Sequence, residues 1–266
     1  NNSSHLAKSL NGKYLYSIAD EGVAVFAIEA DGDLTFINKV DIDGMRGCHL
    51  STDEEGKYLF VAGYHDGKVT VVHTHRDGRL GSVVTGVFHK GLGSVGERNF
   101  RPHVSCVRPT PDNKYLCAVD NGIDQIKIYR VNRRTKRLEL VDILRCHRES
   151  GPKKMKFSKD GKFAYLIYEL NNTIQVYRYD GSGKNPVFEL LQTESTLAMR
   201  LMMRLPVFVC HRMTNMFSAQ QQERIRLLCI KEMSRPVFWK NSVFCQSVEI
   251  IQRIWQFFRT ENIWQW

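Results

Sequence analysis

The sequence predicts an all-β fold assembled from tandem copies, and three observations predict it. A short phrase returns four times within residues 1–195. Runs rich in Val, Ile, Tyr and Phe follow each copy and read as strands. No segment of that region carries a convincing helical period. Several strands recurring every ~45–50 residues are the pattern of β-propeller blades.

The phrase runs Gly12-Lys13-Tyr14-Leu15-Tyr16, Gly56-Lys57-Tyr58-Leu59-Phe60, Asn113-Lys114-Tyr115-Leu116 and Gly161-Lys162-Phe163-Ala164-Tyr165. Its lysines lie 44, 57 and 48 residues apart. Each copy opens on a turn: Leu10-Asn11-Gly12, Glu54-Glu55-Gly56, Pro111-Asp112-Asn113 and Lys159-Asp160-Gly161. A second turn leads to a further strand in every copy, Val23-Ala24-Val25-Phe26, Lys68-Val69-Thr70-Val71, Gln125 to Tyr129 and Thr173 to Tyr177. A third, looser turn precedes another run, of which Leu138-Glu139-Leu140-Val141 is an example. The longest spacing is explained by the Gly-rich insertion Gly91-Leu92-Gly93-Ser94-Val95-Gly96. That insertion is no phosphate loop, since it lacks the Gly-Lys-Ser/Thr ending and a following helix.

Composition changes near Ser195. Residues 196–266 contain no Gly, Asp or Tyr, yet hold all four Trp and six of the eight Met. They carry 10 Lys+Arg against 4 Asp+Glu, so six of the chain's ten net positive charges belong to them. Reading this segment one base out of register permits the repeat phrase again. Cys210 to Phe217 allows Ser-Pro-Asp-Asp-Lys-Tyr-Val, and Trp255 to Trp264 allows Ala-Val-Phe-Pro-Asp-Gly-Lys-His-Leu. The expected organisation is therefore a partial β-propeller of about four blades over 1–195 and a frame-shifted tail without a native fold over 196–266. The slip is placed at about Thr196–Met199. Part of the first blade is expected to precede Asn1. The competing reading of the tail is a genuine basic helical extension, over Gln220 to Met233 or Val248 to Phe258.

Composition also excludes some classes. Apolar residues make up 42% and charged residues 25%, a globular balance. No apolar run reaches the ~18 residues of a spanning helix, so no membrane partner is expected. Seven cysteines without a CxxC pair or a secretory leader point to reduced thiols, a cytoplasmic location and no metal. Nucleic acid is not an expected partner, because the first 195 residues have no basic stripe. The dense run Arg133-Arg134-Thr135-Lys136-Arg137 lies between two strands and reads as a solvated hairpin tip.

Several phrases resemble one family. Arg101-Pro102-His103-Val104, Pro111 to Leu116, Ser150-Gly151-Pro152 and Tyr168-Glu169-Leu170 are similar to the lactonase family of seven-bladed β-propellers, whose best-known members are bacterial 6-phosphogluconolactonases. The resemblance spans about residues 3–195. It implies hydrolysis of a sugar-acid lactone, 6-phosphogluconolactone in the pentose phosphate route of glucose metabolism above all. It implies a monomer, a phosphorylated sugar lactone as small-molecule partner, and no cofactor.

Opening a lactone needs an activated water, a cation or donor for the carbonyl oxyanion, and cations for any phosphate. The resemblance makes His103 a catalytic residue, and its ordinary pKa near neutrality suits a base. It makes Glu169 a base or an orienting partner, and it sets Lys153 where the family has Arg. Lysine keeps the charge but loses the bidentate fork. Arg98 and Arg101, beside the insertion, are expected to bind substrate. Counting eight residues back from each repeat lysine gives His5, His49, Cys106 and Lys154. These are expected at one mouth of a central channel, with His49 and Lys154 as substrate contacts. The alternatives are a lactonase or lactonising enzyme for another carboxylated substrate, and a non-enzymatic propeller scaffold. The chain as written is expected to be inactive and to self-associate through open strand edges.

Overall fold

The computed structural model describes residues 4–94, 100–132 and 134–196. The chain divides into units 1–197 and 198–266, and every described residue lies in the first. The readings of the tail, as frame-shifted or as helical, fall outside the described residues.

Sixteen strands form four sheets of four strands each. The first sheet holds β1 (Leu6–Lys8), β2 (Tyr14–Ala19), β3 (Gly22–Ile28) and β4 (Leu34–Asp41). The second holds β5 (His49–Thr52), β6 (Tyr58–Gly63), β7 (Lys68–Thr74) and β8 (Leu80–Phe88). The third holds β9 (Val104–Pro109), β10 (Leu116–Asp120), β11 (Gln125–Asn132) and β12 (Arg137–Arg145). The fourth holds β13 (Pro152–Phe157), β14 (Phe163–Tyr168), β15 (Thr173–Asp180) and β16 (Val187–Ser195). In each sheet neighbours in sequence pair antiparallel, the up-and-down meander of a propeller blade.

The repeat phrase is the turn between the first two strands. Its Gly or Asn takes a left-handed backbone, with φ of 74° at Gly12, 63° at Gly56, 54° at Asn113 and 72° at Gly161. A side-chain oxygen just before the turn then accepts the backbone N–H of the phrase's aromatic residue. Tyr14 donates to Ser9 Oγ at 2.9 Å, Tyr58 to Asp53 Oδ1 at 2.9 Å, Tyr115 to Thr110 Oγ1 at 3.0 Å and Phe163 to Ser158 Oγ at 3.0 Å. The phrase recurs because one hydrogen-bonded turn recurs.

Strands β6, β7 and β10 are buried on both faces, whereas β14 and β15 of the fourth sheet alternate buried residues with more accessible ones. Three apolar clusters lie between successive sheets. Ile18, Leu50 and Leu59 belong to the first, Val69, Val107 and Leu116 to the second, and Cys106, Met155 and Leu166 to the third. Outer strands are largely exposed, and the register shifts between strands three and four of every sheet, once in three sheets and twice in the second. Such a bulge increases the twist of the outer strand.

The innermost strands of neighbouring sheets are joined through side chains. The residue nine positions before each of the first three repeat lysines reaches forward to the next copy: Ser4 Oγ donates to Gly47 O at 3.1 Å, Cys48 Sγ to Val104 O at 3.3 Å, and Ser105 Oγ to Lys153 O at 2.8 Å. The residue eight positions before does the same. Leu50 N–H donates to His5 Nδ1 at 3.2 Å, and Val107 N–H approaches His49 Nδ1 at 3.4 Å. The His5 and His49 rings lie 4.3 Å apart, and His49 Nε2 faces Cys106 Sγ at 3.7 Å.

This corrects one expectation. His49 is 2% exposed and both its ring nitrogens face protein, so it stitches sheets and is not a substrate contact. The shared register of His5, His49 and Cys106 is real, but it serves packing. Of the basic run, residues 134–136 lie between β11 and β12 and Arg137 opens β12, all four exposed.

The stitching histidines must be neutral, because a nitrogen that accepts a hydrogen bond has no proton of its own. Burial, reinforced by Lys154 and Arg108, holds His5 down at about 4, and burial holds His49 well below the ordinary value. The unfolded chain protonates both near pH 6.5. It therefore binds more protons than the folded chain below that pH, and stability falls on acidification. Chemical denaturation between pH 7 and 4 should show a loss approaching about 1.4 kcal/mol per pH unit for each histidine. In His49→Gln the slope should shrink. Separately, Leu166→Ala in the third cluster should cost about 2–5 kcal/mol. Leu140→Ala, half-exposed on β12, should cost under about 0.5 kcal/mol in the same denaturation series.

Candidate active site

His103 enters β9 directly after Arg101-Pro102 and is buried. Its Nδ1 lies 2.7 Å from the Tyr64 carbonyl oxygen. A peptide carbonyl can only accept, so Nδ1 carries a proton, and the neutral form of the ring has its lone pair on Nε2. The Tyr64 ring stacks on the imidazole at 4.6 Å with an interplanar angle of 17°. Phe100 meets it edge-on at 6.3 Å. The imidazole is thus held in one tautomer and one plane.

The backbone of His103 is held as well. Its N–H donates to Asp120 Oδ1 at 2.8 Å, and its carbonyl accepts from Asn121 N–H at 2.9 Å. Asp120 Oδ2 takes the His89 Nδ1 proton at 2.7 Å, and both side chains have 0% exposure. Burial lowers the His89 pKa despite the opposing carboxylate. Gly122 follows in a position that only glycine can fill, since a Cβ there would lie 1.7 Å from Arg101 O.

Lys153 and Glu169 meet one sheet further on. The register of β13 against β14 slips between Pro152 and Lys154, which leaves Lys153 as the extra residue of a bulge. Ser105 is the extra residue of the equivalent bulge where β9 meets β10. Bulges re-aim a side chain at the end of a strand. Lys153 Nζ lies 2.8 Å from Glu169 Oε2, with both groups part-exposed. A pair this accessible contributes little to stability, so its consequence is orientation. Asn121 Nδ2 donates to the same Glu169 oxygen at 3.4 Å. Asn121 therefore touches both His103 and Glu169, and it unites the three residues across two sheets.

Arg101 is exposed, with its guanidinium 5.6 Å from the Phe100 ring centroid. Lys154 lies past the bulge, and its charge acts on His5 and His49, on the stitched side of the inner strands. Arg98 lies outside the described residues. Tyr64, His89, Asp120 and Asn121 escape sequence reading. Asp120-Asn121-Gly122 is a turn signal after an apolar strand, and turn signals predict solvent, whereas Asp120 and Asn121 are 0% and 1% exposed. Among the described residues no three His, Cys, Asp or Glu side chains gather as metal ligands. The four described cysteines are free, and burial pushes the Cys48 and Cys146 thiols up to about 12, which removes them as nucleophiles.

No helix among the described residues is long and apolar enough to cross a membrane. Residues 1–204 match the family described as lactonase, 7-bladed beta-propeller. A 6-phosphogluconolactonase from Bacillus subtilis is 34% identical over 184 residues, covering 67% of this chain and 52% of that protein. A 6-phosphogluconolactonase from Formosa agariphila is 31% identical over 186 residues, covering 66% and 53%. The chain thus spans about half the length of these curated relatives. Among solved structures, the periplasmic gluconolactonase of Pseudomonas aeruginosa superposes with a TM-score of 0.68 at 28% identity, covering 73% of this chain and 58% of that one. With its repeated four-stranded sheets and this family match, the chain belongs to the lactonase family of seven-bladed β-propellers.

Proposed function

We propose that the chain carries the lactone-opening site of a carboxylic-ester hydrolase, acting on a phosphorylated sugar lactone with 6-phosphogluconolactone as its substrate. The observation that carries this reading is the contact of Asn121 with both His103 and Glu169. It links the main chain at His103, whose imidazole Nδ1 faces Tyr64 O, to the Lys153–Glu169 ion pair.

The chemistry follows from these groups. His103 Nε2 takes a proton from water, and the hydroxide oxygen bonds to the lactone carbonyl carbon. The carbonyl oxygen becomes an oxyanion, and the Lys153 ammonium offers it positive charge. The intermediate collapses by breaking the ring C–O bond, and the imidazolium returns the proton to the departing ring oxygen. Glu169 holds Lys153 in place through the reaction. Tyr64 O accepts from Nδ1–H throughout, so the proton shuttles on Nε2 alone. Arg98, Arg101 and Lys154 are the proposed cations for the phosphate.

The Pseudomonas neighbour is a gluconolactonase, which favours a second reading in which the sugar lactone carries no phosphate. The free cysteines support a cytoplasmic site of action in the pentose phosphate route. The exposed Val187, Leu190 and Leu191 of β16 support self-association of this chain.

Lactone consumption, corrected for spontaneous hydrolysis, tests the assignment. His103→Ala should lower kcat/KM by about 10²–10⁴-fold, the range of a lost general base. Glu169→Ala should lower it about tenfold or more by releasing Lys153. Unchanged rates in both variants would remove the site. A panel of lactones with and without phosphate should give the lower KM for the phosphorylated member, and the reverse order would establish the second reading.

A further inference from the structure

We infer that the short turn from Asp120 to Asp124 is the positioning element of the site, with one residue assigned to each of the three groups. This deepens the lactonase reading and rests on it for its kinetic consequence. Asp120 Oδ1 accepts the N–H of His103 at 2.8 Å and the N–H of Gly122 at 3.0 Å, which ties the strand entrance to the turn. Asn121 Nδ2 reaches Glu169. Asp124 anchors the segment that delivers Lys153. Its Oδ1 accepts from Gly151 N–H at 2.9 Å and from Ser150 Oγ at 3.3 Å, and its Oδ2 accepts from Glu149 N–H at 2.8 Å. Gly151 is two residues ahead of Lys153.

These side chains are costly to bury. Asp120, Asn121 and Asp124 are 0%, 1% and 6% exposed, in a turn where sequence predicts solvent. Buried carboxylates persist when several donors meet them, and each of these two meets at least three. Three of the donors, the N–H groups of His103, Glu149 and Gly151, are backbone groups of the segments that bear the candidate catalytic residues His103 and Lys153. His89 completes the Asp120 set from the start of the Gly-rich insertion, so the insertion is tied to the same carboxylate. Neither aspartate bonds to a catalytic side chain, so both act through the backbone that carries it. Catalysis is sensitive to such placement, since a displacement of ~1 Å can cost about 100-fold in rate.

The test pairs Asp120→Asn and Asp124→Asn in the 266-residue chain, with amide hydrogen exchange and lactone kinetics as readouts. Asp120→Asn should speed exchange of the His103 amide by about tenfold or more while leaving Gly151 and the core amide of Val61 protected. Asp124→Asn should do the converse. In each variant kcat should fall by about tenfold or more with KM within about threefold of the parent. The inference is overturned if His103 and Gly151 stay equally protected, if Val61 loses protection alongside them, or if the kinetic loss lies in KM. Should the parent hydrolyse no lactone, as is expected of a partial propeller, the exchange pattern alone decides whether the turn holds these two segments, and the lactonase reading is judged separately on lactone kinetics.

Discussion

Neighbouring sheets in this fold share no backbone ladder at their inner edge, so side chains must carry the connection. A hydroxyl, a thiol or an imidazole at two fixed register positions reaches from one inner strand to the main chain of the next. Everything functional hangs on this arrangement. The stitches fix where each inner strand begins, and the strand beginnings are where His103 and Lys153 sit. The apolar clusters between sheets supply most of the driving force, but they are non-directional and would tolerate sliding. Directional bonds at the inner edge set the register that apolar packing leaves loose.

The site is built from departures from regular sheet. Two equivalent bulges, at Ser105 and Lys153, break the alternation at the strand entrances. One bulge residue closes a stitch, and the other turns its ammonium to Glu169. The same device therefore closes a stitch in the third sheet and sets an ion pair in the fourth. The repeated turn at the opposite end of these strands keeps the same hydrogen bond in all four copies, whereas the two bulge residues at the strand entrances have different partners.

Much of the fold was legible from sequence because it rests on local chemistry. The Gly/Asn-Lys-aromatic phrase encodes a left-handed turn residue and a buried strand, and both features are readable in one copy and confirmed by the next. The inner strands were less legible. His49–Thr52 and Pro152–Phe157 mix polar and apolar residues, since their side chains bond across to a neighbour instead of filling a core. For the same reason His49 read as a ligand. Its residue type suggests chemistry, whereas its surroundings, invisible in sequence, make it a neutral stitch. His103 and Glu169 became candidates through family phrases. Asp120 and Asn121 were not, because a buried acid inside a turn looks like any solvated turn until the donors from two other segments are seen around it.

The stitches also have a direction. Every one runs from an earlier copy to its successor, so the second and third sheets each present a plug on one face and a socket on the other. A tandem duplication inherits both fittings at once. Wheels of this kind can therefore gain or lose a spoke through unequal crossing-over without inventing a new joint, provided the small groups at the two register positions survive the event.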